Sequence, residues 1–138
     1  MTSLLLIDDD AEIRNLYGPF LEKRLQAQSQ TTPANDLVTI CVDGPQALEV
    51  LQETTAFDII VCDYSMPVKN GGDVWNYVKK SNPSVPFILF TSEEFNELPE
   101  FDKSFQDLGH ICLKKPASPT KLLQVITTLL ADTRKSQL

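Results

Sequence analysis

The sequence lacks any apolar run that approaches the roughly 18 residues of a membrane-spanning helix. Its first residues, Met1 to Leu4, also lack the basic stretch that begins a secretory signal peptide. We therefore expect no association with a membrane, and we expect a cytoplasmic location.

Basic residues are also scarce. The chain has 12 Lys and Arg against 19 Asp and Glu, which gives a net charge of −7. Its longest basic clusters are the pairs Lys79-Lys80 and Lys114-Lys115. Proteins that bind nucleic acid neutralise phosphates with many clustered basic side chains. The composition therefore argues against direct binding of nucleic acid by this domain.

Cysteine and histidine are too few to suggest a metal site or a disulfide framework. The three cysteines, Cys41, Cys62 and Cys112, have neither zinc-site nor CxxC spacing. They lie in apolar, strand-like segments, so we interpret them as buried, reduced thiols. The only histidine, His110, precedes a strand-like segment, and we interpret it as an ordinary residue and not as a proton-transfer group.

What the sequence does contain is a regular alternation of two patterns. Its 138 residues fit a single domain. Short apolar, β-branched segments predict strands, and helix-like segments lie between them. This alternation favours an α/β fold in which helices cover both faces of a parallel sheet. The predicted strands are 4–7, 38–42, 59–62, 87–90 and 111–113, and the predicted helices are 11–26, 45–53, 72–80, about 97–108 and 119–131.

The boundaries of these elements have recognisable signals. Asp10 can cap the first helix, and Ser118 can cap the last one. The polar residues 26–35 predict a surface loop. We therefore expect a domain over residues 1–131, followed by a flexible C-terminal tail over residues 132–138.

Charged side chains follow three of the predicted strands. Asp8 and Asp9 follow the first strand, Asp63 follows the third, and Lys115 comes shortly after the fifth. Because parallel strands end at the same edge of a sheet, we expect these groups to converge in one crevice. Two carboxylates about 5 Å apart repel by roughly 3 kcal/mol at an effective dielectric constant of about 20. A divalent cation relieves this repulsion, and hard oxygen ligands favour Mg²⁺, with Mn²⁺ as a substitute.

Five motifs, taken together and in order, carry a resemblance to a known family. They are LLLIDDD at 4–10, DIIVCDYSMP at 58–67, NG at 70–71, PSVPFILFTS at 83–92 and KKP at 114–116. On these motifs, which span nearly the whole chain, it resembles the receiver domain of two-component response regulators of the chemotaxis-regulator type. The resemblance implies a flavodoxin-like, doubly wound (βα)5 fold with a five-stranded parallel sheet in the order 2-1-3-4-5.

The resemblance also implies a role for each charged residue. Asp63 would accept a phosphoryl group from a histidine, while Thr91 and Lys115 would contact phosphoryl oxygens. These roles suit phosphoryl transfer, in which catalysis is mostly positioning and stabilisation of charge. Mg²⁺ would be held directly by Asp9, Asp63 and the backbone carbonyl of Ser65, and through water by Asp8. The Lys115-Pro116 peptide bond would be cis.

The same resemblance implies the partners of the protein. The phosphoryl donor would be a sensor histidine kinase or a histidine phosphotransfer protein. The signal would then pass to a downstream protein or to a fused output domain. A homodimer that forms on phosphorylation is a further family behaviour. We expect the chain to catalyse only its own phosphorylation and dephosphorylation, and so not to act as an enzyme on other substrates.

Two features depart from the family pattern. The family usually carries Tyr or Phe on the fifth strand, three residues before the lysine, where this chain has Cys112. Residues 92–109 also form a longer segment than in compact members and include Pro99, so we expect the fourth helix to be displaced or short. Both departures concern the expected output surface, so the chemistry looks intact while the switch looks modified.

Three other classes of protein share parts of the pattern of a receiver domain. A pseudo-receiver that docks proteins without phosphorylation remains the alternative, because Cys112 and the altered fourth helix favour it. A haloacid-dehalogenase phosphatase needs a second aspartate two residues after the first, where this chain has Ser65. A flavodoxin needs a phosphate-binding loop after the first strand, where Asp9 and Asp10 would repel the flavin phosphate.

Overall fold

The computed structural model describes residues 2–28 and 37–136, and strands and helices alternate in these ranges as the sequence predicts. None of the described helices is both long and apolar enough to cross a membrane. A single 3₁₀ turn, Phe95–Glu97, follows the fourth strand. The elements are β1 (Leu4–Ile7), α1 (Ala11–Gln28), β2 (Val38–Cys41), α2 (Gly44–Glu53), β3 (Ile59–Cys62), α3 (Gly71–Ser81), β4 (Phe87–Thr91), α4 (Lys103–Asp107), β5 (Ile111–Lys114) and α5 (Pro119–Ser136).

The strands form one parallel sheet in the order β2-β1-β3-β4-β5, which confirms the predicted fold. Side chains of β1 alternate between the two faces of this sheet. Leu5 and Ile7 pack in the core under α2, α3 and α4, whereas Leu4 and Leu6 pack in the core under α1 and α5. All four are fully buried, and burial of one such side chain contributes about 1.5–3 kcal/mol. The continuous apolar runs of the sequence are therefore explained by helices on both faces.

One row of side chains crosses the sheet just before the carboxyl ends of the strands. The strand register pairs Ile7 with Cys41 on one side and with Cys62 on the other. It also pairs Leu89 with both Cys62 and Cys112. Cys41 and Cys62 are buried, as predicted, but Cys112 is only half-buried because β5 is an edge strand. Burial raises the pKa of all three thiols, to about 11 for Cys41, so they are protonated at neutral pH.

The predicted helix caps are present, but four of the described helices are longer than predicted, α5 most of all. The Asp10 side chain accepts a hydrogen bond from the N–H of Glu12 at 2.9 Å, and the Ser118 hydroxyl accepts one from the N–H of Lys121 at 3.1 Å. The flexible tail over residues 132–138 stays a prediction; α5 continues through residues 132–136, which contain neither glycine nor proline. Residues 137 and 138 lie outside the described ranges.

The predicted loop over 26–35 begins later than expected, because α1 continues to Gln28. Most of that predicted loop, residues 29–35, lies outside the described ranges. Residues 26–28 of the predicted loop are therefore helical.

The largest difference from the sequence prediction lies between β4 and β5. The helix predicted at about 97–108 is reduced to the five residues of α4, in line with the expectation of a short fourth helix. Pro99 has no N–H to continue a helix, and Asp102 caps a new one by accepting a hydrogen bond from the N–H of Ser104 at 2.9 Å. The preceding residues 92–102, here called the β4–α4 segment, bury Leu98 and Phe101 in the core.

His110 is a core residue at the amino end of β5. Its Nδ1 accepts a hydrogen bond from the N–H of Phe87 at 3.1 Å. Its ring lies 4.8 Å from the ring of Trp75 and 5.2 Å from that of Phe105. Its Nε2 is buried and has no hydrogen-bond partner among the described residues. Burial lowers the pKa of His110, so its imidazole is neutral in the folded protein at neutral pH.

Candidate functional site

Three carboxylates converge at the carboxyl edge of the sheet, as the sequence predicts. Asp8 and Asp9 follow β1, and Asp63 follows the adjacent strand β3. One carboxylate oxygen from each lies within 4.8 Å of the others. The side chain of Asp8 is fully buried and Asp63 is 7% exposed, whereas Asp9 is exposed. Within the described residues, this is the one group of three acidic or metal-ligating side chains so placed.

Lys115 reaches the same crevice from the end of β5. Its Nζ lies 2.8 Å from an oxygen of Asp8 and 3.5 Å from an oxygen of Asp63. The ammonium also lies 5.1 Å from the centre of the Phe90 ring, which packs beneath it. The Lys115-Pro116 peptide is cis, as the family resemblance implies. The lysine therefore bridges two of the three carboxylates.

The charges of this crevice act on one another. Burial raises the pKa of Asp63 to about 6, although the charge of Lys115 and a hydrogen bond from the N–H of Tyr64 oppose that rise. The charge of Asp8 contributes to the same rise. Burial alone would lower the pKa of Lys115, but its hydrogen bond to Asp8 and the charges of Asp63 and Asp8 outweigh burial and raise it. Lys115 is thus a permanent cation that only partly offsets the three acids.

Thr91 and Ser65 lie at the same edge of the sheet. Thr91 ends β4, the neighbour of β3, and is 1% exposed. Its hydroxyl accepts a hydrogen bond from the N–H of Glu93 at 3.2 Å. Ser65 is exposed, and its hydroxyl donates to the Glu93 carboxylate at 3.0 Å. These contacts place Glu93 at the mouth of the crevice. The sequence did not predict Glu93 as a site residue.

The glycine of the NG motif, Gly71, is confined by the backbone around it. It is the first residue of α3, and its N–H donates to the carbonyl of Tyr64 at 2.8 Å. A Cβ at this position would lie 2.3 Å from the carbonyl oxygen of Asp63, which is far too close. Glycine is therefore required because the start of α3 directly approaches the backbone of Asp63.

The hydroxyl of Tyr64 forms hydrogen bonds with two residues outside the acid cluster. Its hydroxyl donates to the Glu100 carboxylate at 2.8 Å and accepts from the Asn70 amide at 3.3 Å. Burial and the hydrogen bond to Glu100 raise the pKa of Tyr64 to about 12, so it stays a donor. Glu100 was not predicted as a functional residue, because no local pattern links it to a strand end.

The donor set fits a hard divalent cation. Three carboxylates against one ammonium leave an excess of two negative charges in a largely buried crevice. All the clustered ligand atoms are oxygens, which Mg²⁺ and Mn²⁺ prefer to sulfur or nitrogen. Asp8, Asp9 and Asp63 would hold such an ion.

The comparisons with known proteins agree with this geometry. The family model described as "Response regulator receiver domain" matches residues 4–127. The chain therefore belongs to the response regulator receiver domain family.

Individual relatives are more distant. The chain is similar to the response regulator SaeR of Staphylococcus aureus, with 28% identity over 137 residues, which cover 98% of this chain and 53% of SaeR. The chain thus spans about half the length of the curated relatives it matches.

Among solved structures, a CheY-like receiver domain protein of Methanospirillum hungatei superimposes with a TM-score of 0.79. It shares 21% identity and covers 99% of this chain and 98% of its own. The chemotaxis response regulator CheY4 of Vibrio cholerae gives a TM-score of 0.67 at 26% identity, over 94% of this chain and 98% of its own.

Proposed function

We propose that this chain accepts a phosphoryl group on Asp63 from a histidine of a sensor kinase or phosphotransfer protein. The observation that carries the proposal is the convergence of Asp8, Asp9, Asp63 and Lys115 within one crevice. Fold stability gives no reason to bury repelling acids, whereas transfer of a phosphoryl group to an aspartate needs a carboxylate nucleophile beside cations.

The reaction would form one bond and break another. A carboxylate oxygen of Asp63 attacks phosphorus and forms an O–P bond, while the N–P bond of the phosphohistidine breaks and its electron pair stays on the imidazole. With acetyl phosphate as donor, acetate leaves instead. Mg²⁺, when bound, would neutralise charge on the phosphoryl oxygens.

The residues of the chain itself would position and stabilise the transferred group. Lys115 already lies 3.5 Å from Asp63, so its ammonium would pair with a phosphoryl oxygen. The Thr91 hydroxyl, at the end of the neighbouring strand, would donate to another. The N–H of Tyr64, now 2.7 Å from Asp63 Oδ1, would serve the new acyl phosphate. Ser65 would contribute its backbone carbonyl to the cation.

The wider setting follows from the same proposal. The chain would act in the cytoplasm and catalyse only its own phosphorylation and dephosphorylation. The phosphorylated form would signal to a downstream protein or to an output domain, with a homodimer as one form of output. These statements rest on membership of the receiver family. The proposal of an output domain is also supported by the length of the matched relatives, which are up to about twice as long as this chain.

A second candidate function is a docking module that works without phosphorylation. The observations that favour it are the small, half-buried Cys112 on β5 and the five-residue α4. Both alter the surface through which a receiver would signal. The intact acid crevice disfavours this candidate, because its repulsion would serve no purpose there.

Incubation with acetyl phosphate and Mg²⁺, followed by measurement of the intact mass, tests the proposal. We expect an adduct of one phosphoryl group that requires Mg²⁺ and is absent from Asp63→Asn. A matched control is Asp10→Asn, which removes the same charge next to the crevice while keeping a side chain that caps α1; it should retain the adduct. If neither acetyl phosphate nor a phosphorylated donor domain gives an adduct, the docking module becomes the better function.

A further inference from the structure

The β4–α4 segment, residues 92–102, is hydrogen-bonded at two points to Tyr64 and Ser65, which follow Asp63 and are here called the acceptor loop. Near its start, Glu93 accepts a hydrogen bond from the hydroxyl of Ser65 at 3.0 Å. Near its end, Glu100 accepts one from the hydroxyl of Tyr64 at 2.8 Å. Ser65 and Tyr64 are the two residues that follow Asp63 in the sequence. Both ties therefore begin within two residues of the proposed acceptor.

The tie through Glu100 is built into the fold. Asn70, which caps α3, directs its amide nitrogen to the Tyr64 hydroxyl at 3.3 Å and to the second oxygen of Glu100 at 3.5 Å. The Glu100 side chain lies across the first turn of α3 at Gly72. A Cβ at Gly72 would lie 2.2 Å from Glu100 Cδ, so the absence of a side chain there makes room for the carboxylate.

The tie also lies beside the residues that fill the core near Cys112. Cys112 is too small to move into or out of a space as an aromatic ring does. The β4–α4 segment instead contributes Phe95 and Phe101, which pack with Phe105 of α4 at ring distances of 5.7 and 5.0 Å. The ring of Tyr64 lies 6.3 Å from that of Phe101. Tyr64 thus contacts the aromatic side chains that this segment contributes to the core.

We propose that the hydrogen bond between Tyr64 and Glu100 couples phosphorylation of Asp63 to the attachment of the β4–α4 segment. This inference rests on the proposed function. In the unphosphorylated form the Tyr64 N–H donates to Asp63 Oδ1 at 2.7 Å. An acyl phosphate is a bulkier acceptor for this N–H than the carboxylate is, so the Tyr64 peptide would shift on phosphorylation and its side chain would shift with it. The added negative charge also repels the carboxylate of Glu93 at the other tie.

Glu100 is accordingly a positioning residue that acts through Tyr64. Linkage requires the effect to be reciprocal: if phosphorylation weakens the tie, then loss of the tie must favour the phosphorylated form by the same factor. A purely structural role for Glu100 predicts no such change, because a general loss of packing would not select one state of Asp63.

Amide hydrogen exchange of residues 95–101, with and without Mg²⁺ and beryllofluoride as the phosphoryl mimic, measures the coupling. In the wild-type protein we expect the mimic to speed exchange about fivefold, as expected for a lost hydrogen bond to a charged, partly exposed acceptor. In Tyr64→Phe and Glu100→Met, exchange should already be fast and should change little when the mimic binds. The matched control Glu97→Met makes the same substitution at an exposed position of the same segment and should behave as the wild type does.

The second readout is the affinity for the mimic. Tyr64→Phe keeps the ring and should bind beryllofluoride several-fold more tightly, and the double variant with Glu100→Met should add nothing further. Unchanged affinity in both single variants, or unchanged wild-type exchange on binding, overturns the coupling while leaving the proposed function in place. A wild-type protein that binds no mimic and forms no acetyl phosphate adduct overturns the proposed function, and the coupling with it.

Discussion

The two ends of the sheet bury polar groups by opposite means. At the carboxyl end, Asp8 and Asp63 are buried as charged groups and share one ammonium, that of Lys115. At the amino end, His110 is buried as a neutral ring with a single hydrogen bond, from the N–H of Phe87. The carboxyl end thus keeps charges that repel one another, whereas the amino end avoids charge altogether.

The difference separates the part of the fold that serves chemistry from the part that serves stability. An ionised group is buried in a protein only where a partner or a cation compensates it. Without a bound cation, the negative charges at the carboxyl end are only partly compensated by Lys115. The amino end has no buried charge to compensate. At the carboxyl end, loss of the cation and loss of one acid should therefore change the free energy of unfolding in opposite directions, whereas at the amino end the effect should depend on pH.

The largest effect should come from Lys115→Met. It leaves the fully buried Asp8 and the nearly buried Asp63 without their cation, so the free energy of unfolding should fall by about 3 kcal/mol at pH 7. Urea denaturation followed by circular dichroism measures this. The matched control is Lys114→Met, whose exposed ion pair with Glu94 should contribute less than about 1 kcal/mol. Equal effects of the two variants would show that Lys115 does not compensate the acids.

A smaller effect of opposite sign should come from Asp63→Asn. Because burial raises the pKa of Asp63 to about 6, the folded state disfavours its carboxylate, and removal of that charge should stabilise the protein by about 2 kcal/mol at pH 7 with a chelator present. The wild type binds a proton at Asp63 more readily when folded, so it gains stability as the pH falls from about 6 towards 4. The advantage of the variant should shrink over the same interval. A loss of stability at pH 7 would mean that the crevice is already well compensated.

The smallest effect concerns the amino end. The pKa of His110 is lowered in the folded state, so its contribution to stability is complete above the ordinary histidine pKa and is lost as the pH falls below it. Between about pH 7.5 and 5.5 the wild type should lose about 1 kcal/mol more than His110→Asn, which cannot titrate but keeps an acceptor for the N–H of Phe87. Parallel urea titrations of both proteins at the two pH values test this. Identical losses would show that His110 accepts a proton without leaving its pocket.

The sequence predicted those features that depend on local pattern and on strand order. Asp8, Asp9, Asp63 and Lys115 each stand directly after an apolar strand, so the parallel sheet alone brings them together. The order 2-1-3-4-5 followed from the family motifs, and the sheet has that order. Prediction succeeded where one short segment determines the position of one side chain.

Prediction was less successful where distant segments meet. The length of α4 depends on Pro99, on the cap at Asp102 and on how Phe101 packs against α3. Glu100 contacts Tyr64 only because Gly72 leaves room for it, and no periodicity in either segment signals that contact. The close approach of Gly71 to Asp63 was missed for the same reason, since only the packed structure shows which backbone it touches.

One row of paired residues across the sheet determines which disulfide bonds the protein can form. The row contains Cys41, Ile7, Cys62, Leu89 and Cys112. Every pair of neighbouring thiols is separated by one intervening strand, so their Cα atoms are about 9.6 Å apart, twice the strand spacing. A disulfide bond needs Cα atoms within about 7 Å. Oxidising conditions therefore leave the folded chain without internal crosslinks, and a disulfide-linked dimer would have to form through the half-buried Cys112.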